Sequence, residues 1–174
     1  QANFVLGLDS YEGDQPFELT KRFVDMVPAA FPGYSLLTAF GEGAPLNLES
    51  QKENRVIPFP FHFLNTHQAM NLKPINYEWV DFYDKVIDLT EYTFSPKAIY
   101  RRFMTNKGWT PKYLNVIRAI SNNGYGKIKF FKIIRKKLLE DSKFRDFFER
   151  ETTELPQFYK DIVQKDLGAL WEWF

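Results

Sequence analysis

The side chains that most often do chemistry are sparse in this chain. The two histidines, His62 and His67, lie five residues apart in an irregular stretch with no carboxylate beside them. A metal pair needs helical or strand-matched spacing plus a third donor, so local hydrogen bonding fits them better. Asp9, Glu12 and Asp14 cluster just after an apolar run, where an α/β unit would place a ligand loop. Turn formation and helix capping explain the same residues, and that role is preferred. Lys127, Lys129, Lys132, Arg135, Lys136 and Lys137 are interleaved with Tyr125, Phe130 and Phe131. Clustered cations suit phosphates and exposed rings suit single-stranded bases. However, Phe131 and Ile134 fall on an apolar stripe, and Glu140, Asp141, Asp146 and Glu149 follow at once, which favours the solvated face of a packed helix over nucleic acid. The pair Arg101-Arg102 is too short to add to this. No cysteine is present, which excludes disulfides, thiolate metal sites and cysteine-ligated iron–sulfur clusters within this chain. There is no Ser-His-Asp order and no P-loop, and the turn after Leu6 lacks the GxGxxG pattern. These residues therefore assign no catalytic group and no metal ligand.

The elements that would position a site begin at Asn3–Val27. Phe4-Val5-Leu6 is a short apolar run ending at Gly7, the pattern of a strand covered on both faces. Asp14 is a candidate cap for a helix with Pro16 and Glu18 in its first turn. Leu19, Phe23, Met26 and Val27 then recur on one face, and Pro28 ends the run. Tyr34–Phe40 reads as a second strand, so the opening is a β-α-β unit. Such a crossover joins parallel strands, and ligands lie beyond their carboxyl ends. Here those ends are Gly7–Asp9 and Phe40–Gly43. At the first, Gly7 lets the backbone approach a flat ring, and Val5 or Leu8 packs on its face, which suits an adenine better than a phosphate.

Gly41–Thr66 is a long irregular stretch, with Leu46–Asn54 as a short polar helix. Pro58 and Pro60 alternate with Phe59, Phe61 and Phe63, which predicts an extended path. His67–Leu72 predicts one more strand. From Asn76 the pattern is helical. Asn76 would cap a helix with Trp79, Phe82, Tyr83, Val86 and Ile87 inward, and Ser95-Pro96 opens the next, with Ile99 and Phe103 inward and Gly108 closing it. Thr110-Pro111 opens a helix carrying Leu114, Ile117 and Ile120. Lys127–Leu139, the segment around Phe144, Phe147 and Phe148, and a last helix after Leu155-Pro156 with Phe158, Ile162 and Val163 complete the series. The boundary falls near residue 75, dividing the chain into 1-75 and 76-174.

At 174 residues, 44% hydrophobic, the chain is long enough for one core and an appendage. A net charge of +1 gives no global field toward nucleic acid or membrane. Aromatics reach 18%, with eighteen Phe, which argues against disorder. No apolar run approaches the roughly 20 residues of a membrane span, and no signal peptide is visible, so a cytoplasmic setting is expected. A lone β-α-β unit leaves open sheet edges, and a core-like strand starts almost at residue one without an initiator Met. The expectation is a piece of a longer chain, with further strands before Gln1.

NFVLGLDSYEGDQPFELTKRFVDMVP, followed by YSLLTAFGEGAPLNL, resembles late strand–helix–strand units of the radical SAM barrel. RVIPFPFHFLNTHQAMNLKPINYEWVDFYDKVIDLTEYTFSPKAIYRRF resembles the region closing that barrel in cobalamin-binding-domain radical SAM proteins. The ELPQFY and DLGALWEWF segments are similar to a helical C-terminal extension found in one branch. The resemblance implies a 4Fe–4S cluster, held by a CxxxCxxC loop, that cleaves S-adenosylmethionine to a radical. Without cysteine, that loop would have to lie upstream. The family's GxIxGxxE-like strand flanks the adenine of S-adenosylmethionine. Asn3-Phe4-Val5-Leu6-Gly7 is similar, with Val5 and Gly7 at matching positions, although Asn3 replaces the first Gly and Ser10 the Glu. Gly41–Leu46 resembles the PGTPL loop, which implies a structural role.

The resulting expectation is an α+β, mostly helical chain: a β-α-β piece of a partial α/β barrel followed by a C-terminal helical domain. It would belong to a radical SAM enzyme acting on a small-molecule or lipid-like substrate, with cobalamin allowed on an N-terminal domain and the remainder of its own chain as partner. Val5, Gly7 and Leu8 would meet the adenine of S-adenosylmethionine, and the fragment alone would be inactive, binding no cofactor. The alternative is a non-catalytic helical module that binds protein or RNA through 127–137.

Overall fold

Helix dominates the chain, and among the described residues the strands are confined to one small parallel pair. The computed structural model describes residues 1–8, 13–39, 41, 43–65 and 69–173, the side chains of 62, 65 and 171–173 excepted. In order these are β1 (Ala2–Leu6), α1 (Gln15–Met26), β2 (Pro32–Leu36), α2 (Pro45–Lys52), α3 (Phe61–Asn65), α4 (Trp79–Thr93), α5 (Pro96–Thr105), α6 (Trp109–Ile120), a π-helical turn (Asn122–Gly126), α7 (Lys127–Glu140), α8 (Ser142–Glu149), α9 (Gln157–Leu167) and a 3-10 turn (Gly168–Trp173). No helix among the described residues is long and apolar enough to cross a membrane. The contacts divide the chain into two discontinuous units, Gln1–Ser35 with Pro74–Lys137, and Leu36–Lys73 with Leu138–Phe174.

In the first unit β1 and β2 pair across a single crossover through α1. Their burial alternates: Leu6, Tyr34 and Leu36 are buried, while Val5 is 52% exposed. The apolar run therefore belongs to a sheet with one open face, not one covered on both. Phe4 packs on Phe23 and Tyr34, with ring centroids 5.2 and 5.9 Å away. The inward face of α1 also differs from the expected stripe. Phe17, Thr20 and Val24 are buried, whereas Leu19, Phe23, Met26 and Val27 are exposed. Thr20 is tolerated inside because its hydroxyl donates to the Pro16 carbonyl at 2.7 Å. Asp14 does not cap α1 through its side chain. Its carbonyl accepts from the Phe17 and Glu18 N–H groups, and its carboxylate pairs with Lys85 of α4 at 2.6 Å.

The expected stripe on α4 is found, with Trp79, Phe82, Tyr83, Val86 and Ile87 all buried. Its N-cap is Glu78 rather than Asn76, and Glu78 makes no side-chain capping bond. Ser95 caps α5 as expected, accepting from the Ala98 N–H at 3.3 Å. Asn106 ends α5, and Gly108, at φ +87, opens α6. On α6 the apolar residues Leu114, Ile117 and Ile120 are exposed, and the buried ones are Asn115 and Ala119.

Arg102, 2% exposed, lies between the rings of Phe31 and Phe94, with its guanidinium 6.0 and 5.6 Å from their centroids. It donates to the Thr93 carbonyl, and the Thr93 hydroxyl meets that of Tyr34 at 2.6 Å. Burial pushes the Tyr34 phenol up to about 12. An acid with a raised folded pKa keeps its full stabilising contribution below the unfolded value. It loses that contribution as pH rises through the folded value. Tyr34 is therefore expected to cost about 2–3 kcal/mol of stability between pH ~10 and ~12. Urea unfolding at both pH values checks this, and Tyr34→Phe should flatten the fall; an unchanged fall would refute it.

The second unit is built on rings. Phe59 lies 5.0 Å from both Phe147 and Tyr159, and Phe63 lies 4.9 Å from Tyr159. Asp141 caps α8 as a side-chain acceptor for the Phe144 N–H at 3.1 Å. Tyr159, rather than Phe158, Ile162 or Val163, is the buried residue of α9. The Pro/Phe stretch turns into α3 instead of staying extended, which buries Phe59 and Phe63 and leaves Phe61 exposed. Of the expected strand His67–Leu72, the described part makes one antiparallel bridge, Val56 to Leu72. His67 lies outside the described residues. The second strand ends at Leu36 instead of Phe40. Beyond it, the Asn71 side-chain amide takes both backbone groups of Ala39 at 2.7 Å, in place of a neighbouring strand.

Candidate functional site

A cavity of about 200 Å³ opens at the carboxyl end of β1, lined by Phe4–Leu8, Pro16, Phe17, Thr20 and Tyr77. The three residues singled out by sequence, Val5, Gly7 and Leu8, all border it. Gly7 has φ +96, a backbone region that side-chain-bearing residues rarely occupy, so glycine is what allows β1 to end in this turn. Leu8 is 58% exposed and forms part of the rim. The opposite wall comes from the first turn of α1, where Phe17 meets Tyr77 edge-on at 6.0 Å. Tyr77 is tied to the loop by donating its hydroxyl to the Gly13 carbonyl. Burial, and then the Asp14 carboxylate, raise the Tyr77 pKa, which keeps its phenol neutral.

Among the described residues, no charged side chain lines this cavity. Lys85 is engaged by Asp14 and by Asp81 at 3.0 Å. Among the described residues, the hydrogen-bonding groups on offer are the backbone near Gly7, the Thr20 hydroxyl and the Tyr77 hydroxyl. Apolar walls with a few polar edges suit a flat heteroaromatic ring. Phe17, Thr20 and Tyr77 were not legible as site residues. Tyr77 arrives from 64 residues away through its bond to Gly13, and no local pattern marks it.

Other sequence candidates fare differently. Asp9, Ser10 and Glu12 lie outside the described residues, and Asp14 points to Lys85. No group of three metal-binding side chains occurs among the described residues. On α7 the expected stripe is buried, with Phe131 and Ile134 inside. Lys127 donates to the Tyr34 carbonyl at 2.8 Å, Lys132 pairs with Glu91 at 2.5 Å, and Arg135 chelates Asp84. Comparison with protein-family models, curated proteins and solved structures finds no match.

Proposed function

We propose that this chain supplies late barrel strands and a helical C-terminal domain to a radical SAM enzyme, and that the cavity at the end of β1 receives the adenine of S-adenosylmethionine. The observation that carries this reading is the convergence of Val5, Gly7 and Leu8 on one mostly apolar pocket beyond a parallel strand. Such strand ends are where α/β sheets bind ligands. The sheet, two strands among the described residues, also has edges that further strands would pair. The 4Fe–4S cluster of the parent supplies the radical chemistry and must be held elsewhere, since this chain has no thiolate. A cobalamin would likewise sit on another domain. This chain's residues bind and orient: Val5 and Leu8 pack on the ring, and Gly7 lets main-chain groups reach its edge. The competing reading, a protein- or RNA-binding module using 127–137, loses support because Lys127, Lys132 and Arg135 are committed within the unit.

The test belongs in the full-length enzyme. Gly7→Val is expected to weaken S-adenosylmethionine binding at least about tenfold, equivalent to about 1.4 kcal/mol. Because valine is strained at this φ, Val5→Ala and Leu8→Ala serve as companions at exposed positions. Each should lower affinity measured by calorimetry while thermal unfolding stays unchanged. Unaltered affinity in all three folded variants would remove this pocket from the cofactor site.

A further inference from the structure

Charge is distributed very unevenly along the chain. Residues 92–139 contain twelve Lys and Arg and no Asp or Glu, while the remainder carries eleven basic and twenty-two acidic residues. Several of the twelve are paired with carboxylates from other segments, as in Arg101 with Asp25 and Lys132 with Glu91. Lys107, Lys112, Arg118 and Lys129 make no ion pair with a described carboxylate.

Within this stretch α6 is turned the opposite way from an ordinary amphipathic helix. Its inward side is Asn115 and Ala119, and its apolar arc faces solvent. Trp109, Ile117 and Ile120 are 68%, 55% and 60% exposed, and Tyr113 and Leu114 complete the same arc. At 3.6 residues per turn these positions span little more than a third of the helix circumference. Trp109 stacks on Tyr113 at 6.0 Å, and the Lys112 ammonium lies 5.4 Å from the Trp109 ring. At the other end, Ile120 shares a groove of about 650 Å³ with Tyr125, Lys129 and Lys132.

We infer that the α6 face is a docking surface for an anionic phospholipid membrane. A helix lying in a bilayer interface combines a Trp/Leu/Ile face with flanking Lys and Arg, and needs no great length. Trp and Tyr rings, apolar with one polar atom, favour the headgroup level. The unpaired cations supply charge complementarity to anionic headgroups. A single-stranded nucleic acid would use the same cations but would want exposed flat rings in series. Leu114, Ile117 and Ile120 are aliphatic and offer bases nothing to stack on, which decides for lipid.

The 174-residue chain is expected to co-sediment with phosphatidylcholine vesicles containing phosphatidylserine, and not with phosphatidylcholine alone. Tryptophan emission should shift to the blue on binding, and that shift should vanish in Trp109→Phe. Ile117→Ser with Ile120→Ser, at exposed positions, should weaken vesicle binding about tenfold or more with circular dichroism unchanged. Lys112→Glu with Arg118→Glu should weaken it by a similar factor. No vesicle binding overturns the inference, as does equal binding to neutral vesicles. So does binding of oligouridylate that the isoleucine pair does not affect, or concentration-dependent self-association that shields Trp109 without lipid.

Discussion

Replacing Phe82 by alanine is expected to cost about 3–5 kcal/mol of unfolding free energy, the range for removing a core aromatic. Phe82 is fully buried at the centre of the first unit, on the stripe of α4. Its ring meets Tyr83 at 5.6 Å, Tyr77 at 6.1 Å, Phe17 at 6.4 Å and Trp79 at 6.5 Å. Truncation removes dispersion contacts from four rings at once and leaves a hole that helices pinned by Lys85–Asp14 and Lys21–Asp88 cannot readily close. Phe17 and Tyr77 also wall the candidate pocket, so the variant should loosen ligand binding as well as stability. Urea denaturation monitored by circular dichroism measures the first effect. Met26→Ala, at an exposed position, is the control and should change stability by no more than about 0.5 kcal/mol. A loss below about 1 kcal/mol for Phe82→Ala would mean that α4 does not organise this core.

What the sequence disclosed and what it hid follow one physical line. Signals whose partners are local were legible. The Ser95 cap bonds within three residues, and the α4 stripe is wide enough that only one face can be buried. The strand end carrying Val5, Gly7 and Leu8 was legible too, because a glycine after a short apolar run marks a turn whatever packs around it. Faces chosen by distant partners were not. On α1, Thr20 goes inside because the Pro16 carbonyl satisfies its hydroxyl, and that admits a Phe17–Thr20–Val24 face which a hydrophobicity count ranks second. Asp14 reads as a cap until Lys85, seventy-one residues later, claims its carboxylate. The pocket shows the same division: its strand was visible in the sequence, and its Tyr77 wall was not.

The inverted α6 has a traceable cause, and it yields the other large effect. After α6 the chain enters the π-helical turn Asn122–Gly126, where Gly124 and Gly126 both donate N–H groups to the Ser121 carbonyl, at 3.1 and 3.2 Å. This folds Gly124 back onto α6 so tightly that a Cβ there would lie 1.9 Å from the Ala119 carbonyl oxygen and 2.6 Å from its carbon. Ala119 is thus held inward by the turn, and the larger side chains of α6 are left on the outer arc. Gly124→Ala is expected to destabilise the chain by about 3 kcal/mol, the upper end for overpacking, because the obstructing atoms are backbone and cannot swing aside. For Gly126→Ala the atom nearest the added carbon is the Asn122 Oδ1, at 2.7 Å, and that side-chain end has other rotamers. Its cost should stay near the propensity difference between glycine and alanine, below about 1 kcal/mol in either direction. Chemical denaturation of the two variants side by side gives the comparison. Equal costs would show that the close approach of Gly124 to Ala119 does not hold α6 in place. A large cost confined to Gly124→Ala would trace the outward apolar arc, and the cations beside it, to one glycine in the turn that follows.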